Sequence, residues 1–118
     1  MNNKEAITAL SQSEKIKSGI IWVSHLVNMT GDLPPNEKSG FEKSIRLLIN
    51  MIGHESVLAR RTTRDTAWIN IERDIDMALV MVNSGVAHEA AYHLSRALRQ
   101  VTTISSQCMT FLIEKGLL

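Results

Sequence analysis

Cysteine, proline and aromatic residues are scarce in this sequence, and each scarcity removes a class of protein. There is one cysteine, Cys108, so no disulfide can form within the chain, which fits a reducing compartment. The only two prolines are adjacent, Pro34-Pro35, so proline forces a break in one place alone. Aromatic side chains make up 4% of residues, too few for a platform on which successive nucleic-acid bases could stack. No sign of charge dominates either. The 13 Lys and Arg against 12 Asp and Glu leave a net charge of +1, so no global field draws the chain to nucleic acid or to an anionic membrane. The densest apolar run, Gly19 to Met29, is interrupted by Ser24 and His25 and falls short of the ~20 apolar residues a membrane span needs. The first residues, MNNKEAITALSQSEKIK, lack the apolar centre of a secretory signal. The expectation is a cytoplasmic protein with no membrane partner.

What is present is helical patterning. Strand alternation is absent, while apolar residues recur at three- and four-residue spacing throughout. With 118 residues, 44% of them apolar, residues 1–118 are expected to form a single domain with one core. The first helix is predicted from about Lys4 to Met29, with Ile7, Leu10, Ile16, Ile20, Val23 and Val27 on one stripe and Gly31 as a stop. Asn2 with Glu5 and Ser11 with Glu14 both have capping-box spacing, so the helix starts early or breaks near Ser11 and restarts. The second begins between Pro35 and Gly40. Ser39 with Glu42 is a capping box before an apolar run, and Pro35 is pre-set for a first turn. Its predicted stripe is Phe41, Ile45, Leu48, Met51, Ile52 and Leu58. The third follows the segment ARRTTRDTAW, with Thr62 or Thr63 as cap, and carries Trp68, Ile71, Ile75, Ala78 and Val82 inward until Ser84-Gly85. The fourth runs from about Ala87 to Glu114. Ala87, Ala91, Leu94, Leu98, Val101, Ser105, Cys108 and Leu112 alternate steps of four and three without a slip.

Four helices of roughly 20 to 27 residues, about 30 to 40 Å each, joined by short connections, predict an all-α, up-down antiparallel four-helix bundle. Two of them carry more apolar surface than one stripe can hold. Ile21, Trp22 and Leu26 on the first, and Ile69, Met77 and Met81 on the third, lie beside the core sets. Surplus apolar faces on a small domain point to a protein interface, and a self-complementary one gives a two-fold homodimer. Another protein is the other partner such faces suit.

Chemical constellations are few. No serine sits in a glycine-bracketed elbow, no glycine-rich loop follows a strand, and Cys108 occupies a core position where a thiol is inert. An enzyme is not expected, nor is a cofactor. His88, Glu89 and His93 are the one histidine-carboxylate cluster that a bundle could turn into a metal site. The spacing is Glu-x-x-x-His and occurs once, with Glu72 and Asp76 expected to point outward. Arg60, Arg61 and Arg64 surround an inter-helix turn and are the sharpest candidate for a phosphate or nucleic-acid contact. They equally suit the C-terminal dipole of the second helix. Arg96 and Arg99 are placed at the other end of the bundle from this turn.

The segment from Met77 to Leu98 resembles the middle of a tetratricopeptide unit, with Gly85, Ala90, Ala97 and Leu98 where that repeat places its small residues and its final Ala-Leu. The resemblance covers about a fifth of the chain, has no second copy, and implies a tight helical hairpin rather than a function.

Overall fold

A computed structural model describes residues 1–118. Helix α1 spans Asn3–Met29, α2 Pro35–Thr63, α3 Ala67–Asn83 and α4 Ala87–Glu114, with a short 3-10 turn at Thr30–Asp32. There are no strands. Each helix packs on two neighbours, α1 on α2 and α4, and α3 on the same pair, which closes an antiparallel four-helix bundle. The molecule is elongated, 53 × 22 × 18 Å.

The helix ends show which local signals won. Asn2 caps α1: its Oδ1 accepts the Glu5 N–H at 2.8 Å, and its Nδ2 donates to Glu5 Oε1 at 2.8 Å. The second capping box does not interrupt the helix, and Ser11 is exposed within it. Ser39 is not a cap. Pro34 is held extended before Pro35, and its carbonyl already accepts the N–H groups of Glu37 and Lys38 at 3.0 and 3.1 Å, so α2 starts a turn before Ser39. Thr62 and Thr63 do not cap α3 either. They complete α2, their hydroxyls donating back to the carbonyls of Leu58 and Ala59 at 2.9 and 2.6 Å. Arg64 then ends α2 in the left-handed region at φ 57°, a conformation that disfavours a residue with a Cβ.

The core runs the length of the bundle. Ile16, Ile20, Val23 and Val27 of α1 meet Ile45, Ile49 and Ile52 of α2. Trp68, Ile71, Ile75 and Val82 of α3 meet Leu94, Ala97 and Val101 of α4. All five inward residues expected for α3 are buried. Small residues set the close approaches. A Cβ on Gly19 of α1 would lie 3.1 Å from the Ile52 side chain of α2, so these two helices touch at that level. Buried Ser13 and Ser105 share a 2.7 Å hydrogen bond between α1 and α4, leaving neither hydroxyl unpaired.

The helices are less evenly matched than expected. α3 has 17 residues and α4 has 28. Gln100 Nε2 donates to Asp74 Oδ2 at 2.6 Å, which fixes the middle of α3 level with Gln100. The C-terminal part of α4 therefore continues past the start of α3, along α1 and the end of α2. Trp68 sits at that step with 0% exposure.

Candidate interaction surface

Two lines of residues compete along α2. Ile45, Ile49, Ile52, Ser56 and Ala59 face the core. A second line, Ser44, Leu47, Met51, His54, Leu58 and Arg61, follows the same alternation of three and four residues on the outer side of the helix. Its apolar members stay open to solvent: Leu47 is 63% exposed, Met51 54% and Leu58 49%. Met51 and Leu58 thus lie on the outer line rather than in the predicted core stripe, and Leu47 joins them there. The true inner stripe includes polar Ser56, whose hydroxyl is satisfied locally by the Ile52 carbonyl at 3.0 Å. That satisfied serine hides the inward phase from a reading based on hydrophobicity alone.

Across from this line, α1 presents Trp22, the most exposed large apolar side chain of the chain at 68%. Between α1 and α2 lies a groove of about 380 Å³, lined by Lys15, Ile16, Gly19, Trp22, Leu48, Met51, Ile52, His54 and Glu55. The missing side chain of Gly19 opens its floor onto Ile52. One end is rimmed by an ion pair, Lys15 Nζ to Glu55 Oε1 at 3.0 Å, with Gln12 Nε2 3.3 Å from Glu55 Oε2. The hydrogen bond from Lys15, and then that from Gln12, hold the Glu55 carboxyl below its ordinary range, against a smaller opposing effect of burial.

The six residues expected at an interface do not form one surface. Ile21 and Trp22 are consecutive, so they point about 100° apart, and only Trp22 lines the groove. Leu26 is half-buried against the core, and so is Met81. Met77 is half-buried on α3. Ile69 is 46% exposed, but exposed Arg73 and Asp76 separate it from Val80, the next open apolar residue of that helix. The surplus of α3 is therefore interrupted by charge, while on α1 and α2 exposed Trp22 and Met51 border one groove.

The arginine turn is divided. Arg60 Nε donates to Glu72 Oε2 at 2.6 Å across α2 and α3, so this arginine serves the fold. Glu72 is thus half-buried and paired rather than pointing outward. Arg61 and Arg64 are exposed. The first N–H groups of α3 are already occupied: Ala67 donates to Asp65 Oδ1 at 2.9 Å, Trp68 to the Asp65 carbonyl at 3.3 Å, and Ile69 to that of Thr66 at 3.0 Å. Arg96 and Arg99 do not stand at the far end. The Gln100–Asp74 contact places them alongside the middle of α3.

The histidine cluster also comes apart. His88 and Glu89 are exposed, whereas His93 turns toward α3, its Nδ1 3.8 Å from Asp74 Oδ1 and without a hydrogen bond. No three His, Cys, Asp or Glu groups are arranged to hold a metal ion. Asp74, which the sequence did not single out, is the one buried carboxylate at 5% exposure. Gln100 donates to it, and Arg96 Nε lies 3.6 Å away and over the Tyr92 ring. These groups offset the cost of burying its charge, and the cluster reads as a clamp between α3 and α4. Cys108 is 3% exposed, and burial, followed by the nearby charge of Asp65, raises its thiol pKa and suppresses the nucleophilic thiolate.

Comparison with known protein families, with curated proteins and with solved structures finds no match for this chain. No helix is long and apolar enough to cross a membrane.

Proposed function

We propose that the protein is a non-catalytic helical interaction module that pairs with a second copy of itself through the outer face of α1 and α2, and that it works in the cytoplasm. The observation that carries this reading is the groove between α1 and α2, which exposed Trp22 and Met51 both line, with exposed Leu47 and Leu58 farther along the same outer line of α2. A tryptophan beside a groove is the kind of anchor that dominates protein interfaces. The heptad-like spacing on α2 suits a helix as the occupant, since side chains in this rhythm interlock with those of a facing helix. The free thiol of Cys108 is compatible with a reducing compartment.

A phosphate or nucleic-acid contact at the inter-helix turn is less well supported. With Arg60 engaged by Glu72, the turn retains Arg61 and Arg64, a small patch beside the several phosphate contacts that carry nucleic-acid affinity.

Sedimentation equilibrium over a concentration series from the micromolar range to about 1 mM tests the proposal. The expected result is a mass that rises from 13.2 kDa toward twice that value as concentration increases. A mass fixed at that of one chain up to about 1 mM, where even a weak specific pair would form, contradicts it.

A further inference from the structure

Resting on that reading, we infer that the two copies pair about a two-fold axis parallel to the bundle, so that α1 of each copy lies over α2 of the other and Trp22 seats in the groove of its partner.

The levels of the two helices decide the geometry. Within one chain, Lys15 stands beside Glu55, Gly19 against Ile52, and Trp22 beside Leu48 and Met51. An axis parallel to the bundle preserves height and exchanges α1 for α2. Each residue on the outer side of α1 then meets, in the other copy, the level of α2 that it already neighbours in its own chain. Two complementarities follow. Lys15 of each copy faces Glu55 of the other, so the two ion pairs at the rim become one network of four alternating charges. Trp22 of each copy reaches the open side of Leu48 and Met51 in the other, while Ser18 and Gly19 on α1 leave room at the level where α2 carries Met51.

The other two-fold, perpendicular to the bundle through the middle of the groove, lays α2 on α2 in opposite directions. Lys43 and Arg61 lie about five turns apart on the same flank of α2. Both are exposed, and neither forms an ion pair within the chain. That arrangement would bring Lys43 of each copy to Arg61 of the other, like charge against like, at both ends of the seam. Repulsion of this kind selects against an orientation.

Charge reversal tests the arrangement. Lys15→Glu places acids on both sides of the pair, and Glu55→Lys places bases on both sides. Each variant alone is expected to self-associate about tenfold more weakly than the original chain, the scale set by two exposed pairs turned from attraction to repulsion. Mixed, with one chain labelled with 15N and dimers counted by native mass spectrometry, they should form mixed dimers well above the statistical half. Circular dichroism of each variant checks that the fold is retained. Dimers that mix statistically overturn the parallel two-fold and leave self-association standing. Failure of the unaltered chain to form dimers removes both.

Discussion

Replacing Trp68 by alanine is expected to lower the unfolding free energy by about 3–5 kcal/mol, the usual cost of emptying a buried aromatic site. Domains of this size have about 5–15 kcal/mol in total, so the loss is a large fraction of the stability and should lower the midpoint of unfolding clearly. The argument rests on position as much as on size. Trp68 begins the short helix α3, at the step where α4 runs on without it, and is 0% exposed. The indole is the largest fully buried side chain. Neighbouring helices cannot close over the space without sliding along one another, so a cavity should persist. Trp68→Phe should be much milder. It keeps most of the apolar volume and removes an indole N–H that is buried without a hydrogen-bond partner, a group whose desolvation costs about 1–3 kcal/mol. Urea unfolding followed by circular dichroism measures both. A loss below about 1 kcal/mol for Trp68→Ala would mean that the step is not held by this side chain.

The other tryptophan should behave in the opposite way. Trp22→Ala is expected to leave the stability of the isolated chain within about 0.5 kcal/mol, because the side chain is 68% exposed and its loss opens no cavity. Self-association should weaken by about 30-fold or more, the factor that corresponds to the 2 kcal/mol typical of an interface anchor. Sedimentation of the variant beside the unaltered chain reads the second effect, and urea unfolding at low concentration reads the first. A variant that associates normally would move the interface away from the α1 and α2 face. A variant that loses fold and association together would make Trp22 a core residue in disguise.

The contrast between these two tryptophans marks how far the sequence could be read. The bundle is legible because its helices are long and their periodicity is regular: α4 keeps its phase from Ala87 to Leu112, and all five apolar residues expected to face inward on α3 are buried. Trp22 was recognised as surplus. Its companions were not, because a heptad pattern shows that a helix has a seam and not which of two seams turns inward. On α2, Leu47, Met51 and Leu58 are as apolar as Ile45, Ile49 and Ile52, and only the neighbouring helices decide between them. Asp74 was missed for a related reason. Its partners Gln100, His93 and Arg96 lie on the next helix, and nothing local to α3 indicates that an acid between Ile71 and Ile75 is buried. The arginine turn lies where the sequence places it, but the division of labour among its three arginines is not legible there. The ion pair from Arg60 to Glu72 depends on α3 folding back along α2, a relation that spacing cannot express.

The central claim, that the face built by α1 and α2 is covered by a second copy of the chain, is tested most directly by acrylamide quenching of tryptophan emission across a dilution series. The chain contains two tryptophans, one fully buried and one open to solvent. In dilute solution the Trp22 contribution should be readily quenched and that of Trp68 protected. As concentration rises into the range where mass doubles, quenching should fall and the emission should move to shorter wavelength, because Trp22 enters the groove of its partner. Trp22 emission that remains equally quenchable while dimers form would contradict the account.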